Sequence, residues 1–291
     1  MYRLFIVLLI AFSSFFVSAL IALLLSKPLF GVDFGAMAGN ANYDDPSVMN
    51  ALRFTQFLNA SALFLVPAVV YSWLMSKPLA VNLSLTQKPE WRVIILCLLL
   101  VIFALPFENF IGQLNQQISF PESLAAFESK LRAMETAAEK ATLAFLNMTS
   151  LGDYLLALGI MAILPAIGEE FLFRGVLQKL FQERFSNPHI AIWITAIIFS
   201  AIHMQFFGFF PRMIMGAALG YLFYWSGSLW LSIAAHFFNN AFAVTVAYFV
   251  GLDKLPEGID QAGSQSIGVS LISLSLTALV LFRVKSAYNK V

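Results

Sequence analysis

Gly168-Glu169-Glu170-Phe171-Leu172-Phe173-Arg174-Gly175 sets two adjacent carboxylates and a guanidinium inside a stretch that is otherwise strongly apolar. Ionisable side chains at membrane depth are costly and mark functional positions, so this octet decides how the rest of the chain is read. On a helix advancing about 100° per residue, Glu170 and Arg174 stand about 40° apart, whereas Glu169 points about 140° away from Arg174. Glu170 is therefore expected to pair with Arg174, which leaves Glu169 free for chemistry.

Outward from the octet the chain stays hydrophobic. Apolar residues make up 60% of the 291 and charged residues only 11%, against roughly a quarter in soluble proteins. This composition specifies an all-α integral membrane protein, a polytopic transmembrane helical bundle of about eight spans. The 17 basic and 16 acidic residues nearly cancel to a net charge of +1, so no nucleic-acid partner is expected; the bilayer itself is the surrounding partner. Cys97 is the sole cysteine and lies in an apolar run, which reads as a small buried hydrophobe and excludes an internal disulfide.

Apolar runs predict spans over residues 4–25, 54–75, 93–107, from about 154 through the octet, 190–207, 213–225, 229–250 and 267–284. The first reads as a membrane helix rather than a cleaved leader, because it continues past the cleavage-like Val17-Ser18-Ala19. Residues 27–53, with Gly31, Asp33, Gly35, Gly39, Asp44, Asp45 and Pro46, read as a polar loop. Between 119 and 148, Leu124, Phe127, Leu131, Met134 and Ala138 recur at helical spacing among charges. This amphipathic helix would lie on the membrane surface, cover an opening or simply connect two spans. Pro165 is expected to bend its helix one turn before the carboxylates. Asp153 reads as a helix N-cap, His189 as an interfacial residue, and Tyr221, Tyr224, Trp225 and Trp230 as interfacial anchors.

The expected organisation is three spans and the amphipathic helix over 1–150, a catalytic core over 151–250, and a last span and tail over 251–291. Arg3, Lys77, Lys88, Arg92, Lys179, Arg184, Arg283, Lys285 and Lys290 gather on one side, which puts both termini in the cytoplasm.

Two of the three histidines fall inside predicted spans. His203 closes Phe199-Ser200-Ala201-Ile202-His203, and His236 opens His236-Phe237-Phe238-Asn239-Asn240, whose spacing puts His236 and Asn240 on one helix face. Polar groups from three apolar helices must converge on one another or on a wet cavity, because lipid would leave them unsatisfied. A glutamate, two histidines and an asparagine suit amide hydrolysis. Glu169 can deprotonate a water, His203 can hold it, and His236 with Asn240 can donate to the oxyanion. No GxSxG, GxGD or HExxH is present, which speaks against serine, aspartyl and zincin mechanisms.

Glu169-Glu170-x-x-x-Arg174, Phe199-x-x-x-His203 and His236-x-x-x-Asn240, in order over about residues 154–250, resemble the three-motif signature of the CAAX prenyl endopeptidase and bacteriocin-processing membrane proteases, the Abi family. The resemblance implies an intramembrane endopeptidase in which Glu169 and His203 activate water, His236 and Asn240 bind the oxyanion, and Glu170 with Arg174 holds the helix geometry. It implies a membrane-associated peptide or protein as substrate. The family is also described as metal-dependent, and a metalloprotease version would use His203, His236 and Glu169 as zinc ligands with Glu170 as base. The metal-free version is preferred, with no cofactor required, because it gives Asn240 a role.

Two other classes compete. An ion-coupled transporter would use the same Glu, His and Arg as a proton relay, although no repeat of broken helices accompanies them. A non-catalytic membrane scaffold or immunity protein of the same fold would keep only the packing roles.

Overall fold

The structure is a computed structural model that describes residues 2–37 and 41–288, apart from the side chains of Ala36, Met37 and Asp260. Gly39 of the expected loop and Lys290 of the expected basic flank lie outside the described residues. The long helices run in order as α1 Tyr2–Phe30, α2 Pro46–Trp73, α3 Trp91–Gln116, α4 Ala125–Leu146, α5 Leu151–Arg184, α6 Pro188–Ala201, α7 Phe206–Ser226, α8 Leu229–Gly251 and α9 Ile267–Tyr288. Among the described residues there is no strand. Seven of these helices, all but α4 and α6, are long and apolar enough to cross a membrane, and the chain is an integral, multi-pass membrane protein.

Several span boundaries differ from expectation. The expected polar loop over 27–53 is shorter, because α1 runs to Phe30 and α2 starts at Pro46, where Asp45 caps the helix by accepting from the Ser47 amide, and α7 starts at Phe206 rather than at 213. Two further differences also have physical reasons. The fifth expected span is the 14-residue α6, about 21 Å long and short of a hydrocarbon core of about 30 Å. It stops because Met204 takes a left-handed φ of 56°, which turns the chain out of the helix immediately after His203. The third expected span is longer than 93–107, since α3 runs on to Gln116. Its polar continuation faces inward: Asn115 is buried, donates to the carbonyl of Phe206 at 3.1 Å and accepts from the amide of Phe210 at 2.9 Å.

Prolines shape α2 and α5. α2 opens into a wide π turn at Ser61–Leu65 before Pro67, and α5 does so at Leu158–Ile163 before Pro165. A proline ring clashes with the carbonyl four residues back and offers no N–H, and the wider turn accommodates both effects. A second wide turn, Phe173–Gln178, begins inside the acidic octet and carries Arg174. α5 packs on α2 where Gly168 lets the backbones close: a Cβ there would stand 3.3 Å from Phe64 Cβ. α5 starts with Ser150 as its cap, not Asp153. The Ser150 hydroxyl accepts from the Asp153 amide at 3.1 Å and donates to its carboxylate at 2.8 Å, so Asp153 sits in the first turn and supports the cap rather than forming it.

One apolar core joins α1, α2, α5, α6 and α8 around Val7, Ala68, Phe173, Phe199 and Leu229. A second joins α3, α7, α8 and α9 around Cys97, Leu222, Leu231 and Val284. Leu8, Phe12 and Phe16 on α1 and Leu271, Ile272 and Phe282 on α9 stay exposed, which in this composition is a lipid-facing surface.

Candidate active site

Glu170 and Arg174 form the dry centre of the molecule. Both are 0% exposed, and Arg174 Nη1 donates to Glu170 Oε1 at 2.6 Å across one helical turn. The guanidinium also donates to the carbonyl of Gly216 on α7 at 2.7 Å and lies 4.7 Å over the ring of Phe199 on α6. This side chain therefore ties three helices together. The close approach of α6 to α7 depends on Gly216, where a Cβ would stand 3.0 Å from Phe199 Cδ1.

His236 on α8 completes the cluster, with its Nδ1 2.8 Å from Glu170 Oε1. The carboxylate oxygen already receives Arg174, so Nδ1 carries the hydrogen and Nε2 is turned the other way. Nε2 lies 3.9 Å from Glu169 Oε2, beyond direct hydrogen-bond reach. His203 is fixed by the same logic: its Nδ1 donates to the carbonyl of Phe199 at 2.8 Å, leaving Nε2 as a lone-pair acceptor. The Phe199 ring stands 5.3 Å from that of His203 and 6.0 Å from that of His236, so one aromatic side chain spaces both imidazoles.

Glu169, His203, His236 and Asn240 line one cavity of about 470 Å³, while Glu170 and Arg174 stand behind its wall. Glu169 is 7% exposed and turned to this cavity, the opposite fate to its neighbour. Asn240 accepts at Oδ1 from Asn239 at 3.2 Å, which leaves its own amide hydrogens available. Sequence reasoning brought these six residues forward and missed others. Gln56, Glu108 and Arg212 also line the cavity, and Phe199 is a platform for Arg174 rather than simple packing. Glu108 and Arg212 carried a readable signal, since each is an ionisable residue in an apolar run.

The amphipathic α4 is tied to the loop that carries His203. Glu135 accepts from the amide of Phe207 at 2.9 Å, and Arg132 lies 4.0 Å over the Phe207 ring. Arg132 is itself paired with Glu128 at 2.7 Å, and Glu128 accepts from the amide of Phe120 at 2.8 Å. The Phe120 amide and the Arg132 guanidinium hold the Glu128 carboxyl below the usual range. His189 bonds the Tyr221 hydroxyl at 2.9 Å, away from the cavity.

Among the described residues no three His, Cys, Asp or Glu side chains are arranged to hold a metal ion. The set of Glu169, His203 and His236 is thus not a preformed zinc site, and no step below is routed through a metal.

Residues 151–242 match the family described as type II CAAX prenyl endopeptidase Rce1-like, a segment that contains all three motifs. A relative in Bacillus subtilis strain 168, the uncharacterized protein YpbD, is 33% identical over 112 residues, 36% of this chain and 54% of that protein. The chain thus spans about half the length of the curated relative it matches. No solved structure matches it. The octet, the His203 turn and the His236 face all fall within the matched stretch, so the segment similar to the Rce1-like family is the one that carries the candidate site.

Proposed function

We propose that the chain is a membrane-embedded endopeptidase that hydrolyses a peptide bond of a membrane-associated protein or peptide. The observation that carries this reading is the division of labour between neighbouring glutamates: Glu170 is consumed in holding Arg174 and His236, while Glu169 faces a cavity shared with His203, His236 and Asn240.

In this mechanism a water donates one hydrogen to Glu169 and the other to the Nε2 lone pair of His203. Its oxygen bonds to the scissile carbonyl carbon as its proton passes to Glu169. The tetrahedral oxyanion accepts from the Asn240 amide and from His236 Nε2. Because Nδ1 of His236 is spent on Glu170, this second donor exists only in the doubly protonated ring. Collapse breaks the C–N bond, the proton on Glu169 moves to the departing nitrogen, and the second water proton passes from the new carboxyl group to the amine, so that a carboxylate and an ammonium leave and Glu169 is ionised again. Glu170 and Arg174 do not touch the substrate; they set the azimuth of Glu169 and the orientation of the His236 ring.

The test is cleavage of a library of membrane-anchored peptides, prenylated CAAX tails among them, by purified protein with and without chelator. Wild-type protein is expected to cleave, chelator to leave the rate unchanged, and Glu169→Gln to lower it by about 10²–10⁴-fold while remaining folded. Loss of activity to chelator, restored by zinc, would reinstate the metal-dependent version. Absence of cleavage by folded protein overturns the peptidase reading; proton-coupled flux abolished by the same substitution would then identify a carrier, and unaltered partner binding a scaffold.

A further inference from the structure

The cytoplasm-facing half of α5, as its basic flank orients it, ends in a second cavity that plays no part in this chemistry. It holds about 310 Å³ and is lined by Arg3 of α1, Tyr71 of α2, Lys77 and Asn82 of the α2–α3 connection, and Lys179 and Glu183 of α5. The α2–α3 connection is built to face it. Asn82 donates to the carbonyls of Ser72 at 2.9 Å and Lys77 at 2.7 Å, which folds the segment into a tight loop. Lys179 then straps that loop to α5, donating to the carbonyl of Asn82 at 2.6 Å and the hydroxyl of Ser84 at 2.8 Å.

Charge in this cavity does not balance. Both acceptors of Lys179 are neutral, and among the described residues neither Lys179 nor Lys77 has a carboxylate within ion-pair distance. Glu183, the one carboxylate in the lining, is engaged by Arg3 at 3.1 Å. A partly buried ammonium with one donor to spare and an exposed one beside it have the chemistry to receive an anion. A groove of about 640 Å³ adjoins the cavity, shares Arg3, Leu180 and Glu183 with it, and is walled by Leu4, Phe181 and Phe185. A cationic chamber continuous with an apolar groove, at the end of membrane spans, has the two-part chemistry of a phospholipid.

We propose that this site binds one anionic phospholipid, with its phosphodiester against Lys77 and Lys179 and an acyl chain along Leu4, Leu180, Phe181 and Phe185. The site is independent of the peptidase assignment, since it shares no lining residue with the Glu169 cavity. It would fasten the α2–α3 connection to α5 from the bilayer side.

The experiment uses the full chain in nanodiscs of phosphatidylcholine with and without phosphatidylglycerol. Lipid retained on the protein is read by native mass spectrometry, and the melting temperature is read in parallel. Phosphatidylglycerol is expected to be retained about tenfold over phosphatidylcholine and to raise the melting temperature. Lys77→Gln, an exposed ammonium with no partner to lose, should cut that preference several-fold without changing the melting temperature in pure phosphatidylcholine. Lys179→Gln should cut it further. Equal retention of the two lipids, or an unchanged preference in folded Lys77→Gln, overturns the proposal. So does displacement of the retained lipid by millimolar inorganic phosphate, which would mark a site for the free ion.

Discussion

Two cations five residues apart on the same helix are treated in opposite ways. Arg174 is enclosed by a carboxylate at 2.6 Å, a carbonyl at 2.7 Å and an aromatic face at 4.7 Å. Lys179 meets only neutral acceptors and opens onto a cavity. A charge that the fold neutralises itself is a fastening, and one left with surplus donors is turned to something from outside. The same contrast separates Glu170 from Glu169 over a single peptide bond.

Arg174→Ala attacks the neutralised side most directly. Removing one partner of a buried pair strands the other, at a cost of about 3–5 kcal/mol. The protein is expected to lose its cooperative melting transition in detergent, whereas Glu169→Gln keeps it; equal melting of the two variants would erase the distinction. Asn240→Ala comes next. It removes a donor aimed into the cavity, and kcat is expected to fall by about 10²–10³-fold at unchanged melting temperature. A change in KM alone would take Asn240 out of the oxyanion role.

Gly216→Ala has a smaller effect through the packing of α6 on α7. Its methyl would meet the Phe199 ring at 3.0 Å and Ala196 at 3.4 Å, an overpacking worth about 1–3 kcal/mol, read as a lowered melting temperature. The smallest effect is at Glu128, partly exposed on α4. Its folded-state pKa is depressed, so its support for α4 is present above the ordinary glutamate value of about 4.3 and lost as pH falls through the lower folded value. Hydrogen exchange at the Phe120 amide should accelerate over that acid range relative to α3, and Glu128→Gln should abolish the pH dependence.

Much of this arrangement was legible in the letters. A hundred-degree step per residue was enough to pair Glu170 with Arg174, and the cost of polar groups in oil was enough to bring His203, His236 and Asn240 to one cavity. Local periodicity does not encode what a third helix supplies. The bond from Glu170 to His236 spans 66 residues, and the choice of Glu170 over Glu169 as its acceptor depends on where α8 lies. The span ends were misjudged where polar residues such as Asn115 face inward, because composition alone cannot separate an inward polar face from the end of a membrane segment. The short α6 was hidden for a related reason: Ile202 and Met204 are as apolar as the helix they leave, and only the backbone angle of Met204 shows the exit.

The wide turn at Leu158–Ile163 holds one residue more than a regular helix would, and everything beyond it inherits that phase. Closing the turn to ordinary pitch with every residue kept would rotate the remainder of α5 by about 100° and advance it by about 1.5 Å. Glu169 would then arrive where Glu170 stood, and Gly168 would take the place of Glu169 at the cavity. Deleting Gly159 would remove the surplus and leave both glutamates where they are, so which of two chemically identical neighbours meets water is set in the turn ahead of them.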